Sequence, residues 1–156
     1  MSSAQFSDAA LERIATTLAD LYFVHYEEQA VNSRASVTGN MLAFVFDGGL
    51  SVADEWLLRS GRAERLREFR QNFFEVVSGE LVELVGGLTG MAVTYSFYGF
   101  DPKTRTTHAI FVLDTGERYG AEERQAVVNW SEQVRRNAHA LRRERHAAGE
   151  TGRPRE

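Results

Sequence analysis

The chain contains no cysteine, so disulfide frameworks, cysteine-ligated zinc and thiol catalysis are excluded. Lysine is nearly absent too: of 18 basic residues only Lys103 is a lysine, which reads as codon bias and not as mechanism. No stretch approaches the roughly 18 apolar residues of a membrane-crossing helix. The opening run MSSAQFSDAALERI lacks the basic and apolar regions of a signal peptide. A cytoplasmic protein without direct membrane insertion is expected. His25, His108, His139 and His146 form neither a His-x-His nor a His-Glu-x-x-His spacing, so no metal site is expected. Nucleotide-phosphate loops and the Gly-x-Ser-x-Gly elbow are missing as well. The expectation is a protein that is not an enzyme and carries no cofactor.

What is there suffices for a core. The 156 residues are 43% hydrophobic and include 17 aromatics, enough for one domain with an appendage. The net charge of −4 conceals a division. Residues 1–117 carry 16 acidic and 9 basic side chains, whereas 118–156 carry 6 acidic and 9 basic. The acidic body argues against a nucleic-acid surface, because phosphate contacts need a concentrated positive field. Only the tail keeps that reading open.

Ser7 and Asp8 suit a helix N-cap, and Leu11, Ile14, Leu18, Leu21 and His25 follow at helical spacing, predicting a helix to about Gln29. Ala35–Val37 and Met41–Phe46 flank Gly39-Asn40, a two-residue hairpin turn. That turn sets Val37 opposite Leu42 and Ala35 opposite Phe44 on one face. Thr38 with Met41, Ser36 with Ala43 and Arg34 with Val45 make the other. Ser51-Val-Ala-Asp54 is a capping-box pattern opening a short helix that Gly61 can end. A longer helix is predicted from Ala63 to Val85, stopped by Gly86-Gly87. Its apolar stripe reads Leu66, Phe69, Phe73, Val76, Val77, Leu81, Leu84 and Val85, which places Phe69 and Phe73 against the sheet.

A second hairpin, Met91–Phe100 and Thr106–Leu113, flanks Asp101-Pro-Lys-Thr104, a type I turn pattern. Pairing Asp101 with Thr104 predicts Val93 opposite Val112, Tyr95 opposite Ile110 and Phe97 opposite His108. Both faces of this hairpin hold apolar residues, so cover for the second face is expected from the tail helix or a second copy. That tail helix is predicted over Ala121–Ala147, with a thin stripe of Val127, Trp130, Val134, Ala138 and Leu141. The fold class is α+β: a four-stranded antiparallel sheet of two hairpins in the order α-β-β-α-α-β-β-α. Helices lie on one face and a C-terminal tail helix follows. The expected units are 1–117, the α+β domain; 118–148, a basic helix; and 149–156, a disordered tail. The hairpins are expected to meet through Ala35–Val37 or through Met91–Tyr98.

Several ordered motifs carry a resemblance. A strand runs into Gly48-Gly49-Leu50-Ser51, Gly61-Arg62 opens the long helix, Leu88-Thr89-Gly90 leads to a strand, and Asp101-Pro102-Lys103-Thr104 forms the turn. In these respects the stretch from Ala35 to Asp114 resembles the MpsC-like family, a former domain of unknown function. Its name describes part of a Na+-translocating, membrane-potential-generating system. The Gly-Lys-Gly-Pro-like segment often found before the first strand is replaced here by Glu28-Gln-Ala-Val-Asn-Ser33, and the tail lies outside the family pattern. The resemblance implies a soluble accessory of a membrane ion- or inorganic-carbon-translocating system. It supplies no catalytic residue.

Candidate sites follow from the residues. Asp47, Gly48, Gly49 and Ser51 form a strand-to-helix loop whose backbone N–H groups suit an anion, though a tight turn explains the glycines equally. Arg59, Arg62, Arg65, Arg67 and Arg70, interleaved with Glu55, Glu64 and Glu68, read as a solvated helix face with local ion pairs, the alternative being a contact surface for an acidic partner. Tyr98, Phe111, Val127, Trp130, Val134 and Leu141 are the expected interface of a homodimer. His25 reads as a hydrogen-bonded helix histidine. The leading function is an accessory or regulatory protein acting through protein–protein contact. The alternative is a sensor of a small anion or nucleotide, and nucleic-acid contact through the Arg-rich tail ranks last.

Overall fold

The computed structural model describes residues 6–151. Its elements are α1 (Asp8–Tyr26), β1 (Ala30–Thr38), β2 (Met41–Gly48), α2 (Val52–Arg59), α3 (Ala63–Thr89), β3 (Met91–Asp101), β4 (Thr106–Arg118) and α4 (Ala121–Thr151). The α+β class and the element order are those expected. Residues 152–156, part of the expected disordered tail, lie outside the described residues, and α4 itself runs through Gly149 to Thr151.

The first hairpin has the predicted register. Val37 faces Leu42, Ala35 faces Phe44, and Gly39 takes the left-handed conformation its turn requires, at φ 61°. The second hairpin is two residues longer in the loop, so Asp101 pairs with Thr106. Asp101 accepts bonds from the Lys103 N–H and the Thr104 hydroxyl, and Arg105 adopts φ 54°. A two-residue slip preserves the faces but moves His108 from Phe97 to Gly99, where its ring lies across the glycine.

The sheet order is β1-β2-β4-β3. The hairpins therefore meet through neither of the expected segments but through Met41–Asp47 and Thr106–Val112. The physical reason lies in composition: Leu42-Ala-Phe-Val-Phe46 and Ala109-Ile-Phe-Val-Leu113 are nearly continuous apolar runs, which suit central strands. The more polar β1 and β3 take the edges.

α1 packs against β1 and α3 against β3, all on one side of the sheet. Leu42, Phe44, Phe46, Ala109, Phe111 and Leu113 point into that core. On α3 the buried stripe is Leu66, Arg70, Phe74, Val77, Leu81, Leu84 and Val85. This corrects the expected orientation. Phe69 is exposed, Phe73 is half-buried, and Phe74 is the phenylalanine that enters the core.

α3 also continues through Gly86-Gly87 and ends at Gly90, at φ 76°. The two glycines are sites of close approach instead of a stop. A Cβ on Gly86 would lie 2.6 Å from the Tyr119 ring, and one on Gly87 would lie 2.3 Å from Val127. α4 thus seats on α3 and α1 within its own chain, burying Val127, Val134 and Ala138. It forms a third layer behind the helices and does not cover the second face of the sheet.

Candidate functional site

The loop between β2 and α2 is built on two left-handed glycines, Gly48 at φ 66° and Gly49 at φ 65°. Gly49 is also pressed against Tyr22, whose ring would lie 2.9 Å from an added Cβ, so only glycine fits there. Of the predicted site residues, Asp47 accepts bonds from the Thr106 hydroxyl at 3.1 Å and the Asn32 amide at 3.4 Å. The Gly48 N–H donates to the Arg105 carbonyl. Ser51 and Asp54 close the capping box: the Asp54 N–H donates to Ser51 Oγ at 3.0 Å, and the Ser51 N–H to Asp54 Oδ2 at 2.9 Å. Three N–H donors of this segment, those of Gly48, Ser51 and Asp54, are thus engaged by protein groups. Two carboxylates stand beside them, and the chain's own Asp54 occupies the positive end of α2.

Beneath this loop lies a cluster that the sequence reading assigned to a solvated face. Arg70, on α3, has no exposed surface. It donates from Nη1 to the Tyr22 hydroxyl at 3.0 Å and from Nη2 to the Thr107 hydroxyl at 2.7 Å. Its guanidinium carbon sits 4.8 Å from the Phe100 ring centre, 5.2 Å from Tyr26, 5.6 Å from Tyr22 and 5.7 Å from Phe74. Such a box of π-faces attracts a cation. Among the described residues no carboxylate pairs with it, and its Nε is the buried side-chain atom without a hydrogen-bond partner.

The Tyr22 hydroxyl, having accepted from Arg70, donates to the Gly49 carbonyl, while the Tyr26 hydroxyl donates to Asp54 at 2.6 Å. Burial pushes the Tyr22 hydroxyl up to about 12, against the opposing pull of Arg70. Burial, and then the bond to Asp54, raise Tyr26 as well. One network thus ties α1, α3, β4 and the Gly48–Ser51 loop together. The space between helices and sheet beside it, bounded by Leu18, Phe46, Phe74 and Thr107, amounts to about 10 Å³, the scale of a single water.

The signal for Arg70 was present in the spacing. Leu66, Phe74, Val77 and Leu81 define a stripe on which position 70 falls. Glu64 and Arg67 do form the expected local pair at 3.1 Å, whereas Glu55 reaches across to Arg105. His25 meets Glu80 of α3 at 2.5 Å.

The expected interface residues separate. Phe111, Val127 and Val134 are buried in the chain's own core, Tyr98 stacks on Phe74 at 5.3 Å, and Trp130 and Leu141 are half-buried. They do not form one surface: Tyr98 and Phe111 sit on the sheet's covered face, and the rest on α4. Two other apolar surfaces are open. On α2 and α3, Val52, Trp56, Phe69 and Val76 are exposed, Trp56 to 66% and Val76 to 85%. On the uncovered sheet face Met41, Tyr95 and Phe97 are exposed beside half-buried Ala43, Val45, Ile110 and Val112.

Residues 9–115, from the first turns of α1 to the end of the second hairpin, match the family described as Na+-translocating membrane potential-generating system (MpsC). The chain belongs to the MpsC family. The match takes in both hairpins, the glycine loop and Arg70, and ends before α4. No curated protein and no solved structure matches the chain. Among the described residues no helix is long and apolar enough to cross a membrane.

Proposed function

We propose that this MpsC-family protein is a non-catalytic accessory of a membrane ion- or inorganic-carbon-translocating system, working in the cytoplasm by protein–protein contact and self-association. The single observation that carries this reading is the exposure of the large apolar side chains Val52, Trp56, Phe69 and Val76 on α2 and α3. Exposed aromatic side chains are what contact surfaces concentrate. Of the polar groups of α2, Asp54 is held by the Tyr26 hydroxyl and Glu55 by Arg105. The charges along the same helices are of mixed sign, as Asp54, Glu55, Arg59, Glu64, Arg65, Arg67 and Glu68. A mixed rim suits a protein partner better than an anionic lipid surface, which selects a basic one.

The test uses cells that lack the gene, complemented with the full chain, and reads membrane potential with a dye together with co-purification of integral membrane subunits. The Trp56→Asp/Phe69→Asp variant is expected to fold normally, to lose the membrane subunits, and to restore no potential. Full complementation by a folded double variant refutes the reading.

A further inference from the structure

All helices lie on one side of the sheet, so the other face presents its side chains outward in rows set by the strand register. From β1 to β3 three of these are Thr38–Met41–Val112–Tyr95, Ser36–Ala43–Ile110–Phe97 and Arg34–Val45–His108–Gly99, and a further row of Asp47, Thr106 and Asp101 follows. The central positions of the first two rows are apolar, and the charge-bearing groups gather at the Arg34 and Asp101 end.

We infer that this face is the homodimer interface, with a second copy packed sheet against sheet about a twofold axis parallel to the strands. The inference names the surface for the self-association proposed above and rests on that reading. A twofold axis in that direction lays β1 of one copy over β3 of the other and β2 over β4. Several bulky residues then meet small ones, while Met41 meets the partner's Val112 and Val45 meets the partner's His108. Ile110 falls on the partner's Ala43, Phe97 on the partner's Ser36, and Tyr95 on the partner's Thr38. Small against large is how the inner faces of two packed sheets interdigitate. The rim matches too. Arg34, which donates to the Asn32 carbonyl, lands over the segment from the partner's Gly99 to the partner's Asp101, pairing opposite charges twice. An isologous contact requires this kind of self-complementarity.

Edge-to-edge extension is the competing arrangement, and both edges resist it. β1 breaks its ladder between Val31 and Arg34, with Asn32 at φ 52°, and β3 breaks between Val93 and Tyr95. Bulged edges discourage strand addition. Four strands about 4.8 Å apart and roughly eight residues long project about 500 Å² per copy, or about 1,000 Å² in total. That is the lower limit for a specific interface, so a dimer that dissociates on dilution is expected.

Sedimentation velocity on the full chain across a concentration series tests this, with far-ultraviolet circular dichroism and urea midpoints to confirm that each monomer is folded. The wild type is expected to pass from monomer to dimer within the micromolar range. Phe97→Asp and Ala43→Arg, both outside the helix-covered core, should each raise the dissociation constant roughly 30-fold or more, the scale of a hot-spot loss. Arg34→Glu should weaken the dimer less and abolish its salt sensitivity. Trp56→Asp/Phe69→Asp should leave the dimer intact, which separates failure of this inference from failure of the membrane-partner reading. A wild type that stays monomeric at high micromolar concentration overturns the inference. So does a dimer indifferent to Phe97→Asp and Ala43→Arg, and so does a face occupied only by a different protein.

Discussion

Arg70 and Arg142 both lie over aromatic rings and both grip oxygens of a neighbouring element, yet one is sealed and the other stands half in water. Arg70 joins α1, α3 and β4 beneath the glycine loop with no surface exposed. Arg142, on α4, sits 4.8 Å from the Phe23 ring and donates to Asp20 at 2.9 Å and Gln29 at 2.8 Å, with 31% of its side chain exposed. Arg145 adds a looser contact to Glu28 at 3.6 Å. The tail's basic charge is thus partly spent on the acidic body. The same side chain serves two purposes, and the dielectric around it decides how much depends on it.

Removing the sealed arginine should have the largest effect. Arg70→Ala leaves a void among four rings and deprives Tyr22 and Thr107 of their donor, at an expected cost of about 3–5 kcal/mol in urea unfolding. Arg70→Met keeps the volume and deletes a charge that lacks a carboxylate, so it should cost about 1 kcal/mol or less. If both variants are equally damaging, the guanidinium itself holds the loop. If both are mild, the seal is not what the fold depends on.

Alkali attacks the same region from the other side. The Tyr22 hydroxyl ionises near 10.0 in the unfolded chain and about 12 in the fold, so the fold favours the neutral form. Its contribution is complete below pH 10 and is lost as pH rises through 10 toward 12, a loss on the order of 2–3 kcal/mol. Tyrosinate absorbance from Tyr22 should therefore rise together with unfolding. Ionisation of Tyr22 near pH 10, ahead of unfolding, would mean that the cluster is open to water.

Arg142→Ala should have the smallest effect, about 1 kcal/mol, since its pair is partly solvated. Its signature is salt. Wild-type stability should fall as ionic strength rises and the variant's should not, with hydrogen exchange of α4 as the local readout. A loss as large as that of Arg70→Ala would erase the contrast between the two sites.

Much of the fold was legible because local rules suffice for it. The Gly39-Asn40 turn set the cross-strand pairs of the first hairpin from Thr38–Met41 to Arg34–Val45, and the Ser51–Asp54 capping box opened α2 as expected. The second hairpin slipped because Asp101 caps its own loop with side-chain bonds, which lengthens the turn beyond the simplest pattern. Gly86-Gly87 misled for a different reason. Glycine ends helices locally, but here α4 approaches so closely that any side chain would collide. Of the site, the glycine loop was found and the residue beneath it was not, since the arginine at position 70 reads as exposed until the stripe is phased on Phe74.

By itself the sequence determined the element order, the antiparallel pairing within each hairpin, the helix starts and the absence of thiol chemistry. These depend on turn residues, caps and periodicity, interactions between neighbours in the chain. Only the tertiary structure decided which strands became central, which phenylalanine entered the core, and where the tail helix docked. Those choices turn on competition for one buried volume and on pairing a cation with distant rings and hydroxyls. Residues 22, 70 and 107 acquire their roles only when α1, α3 and β4 close around them.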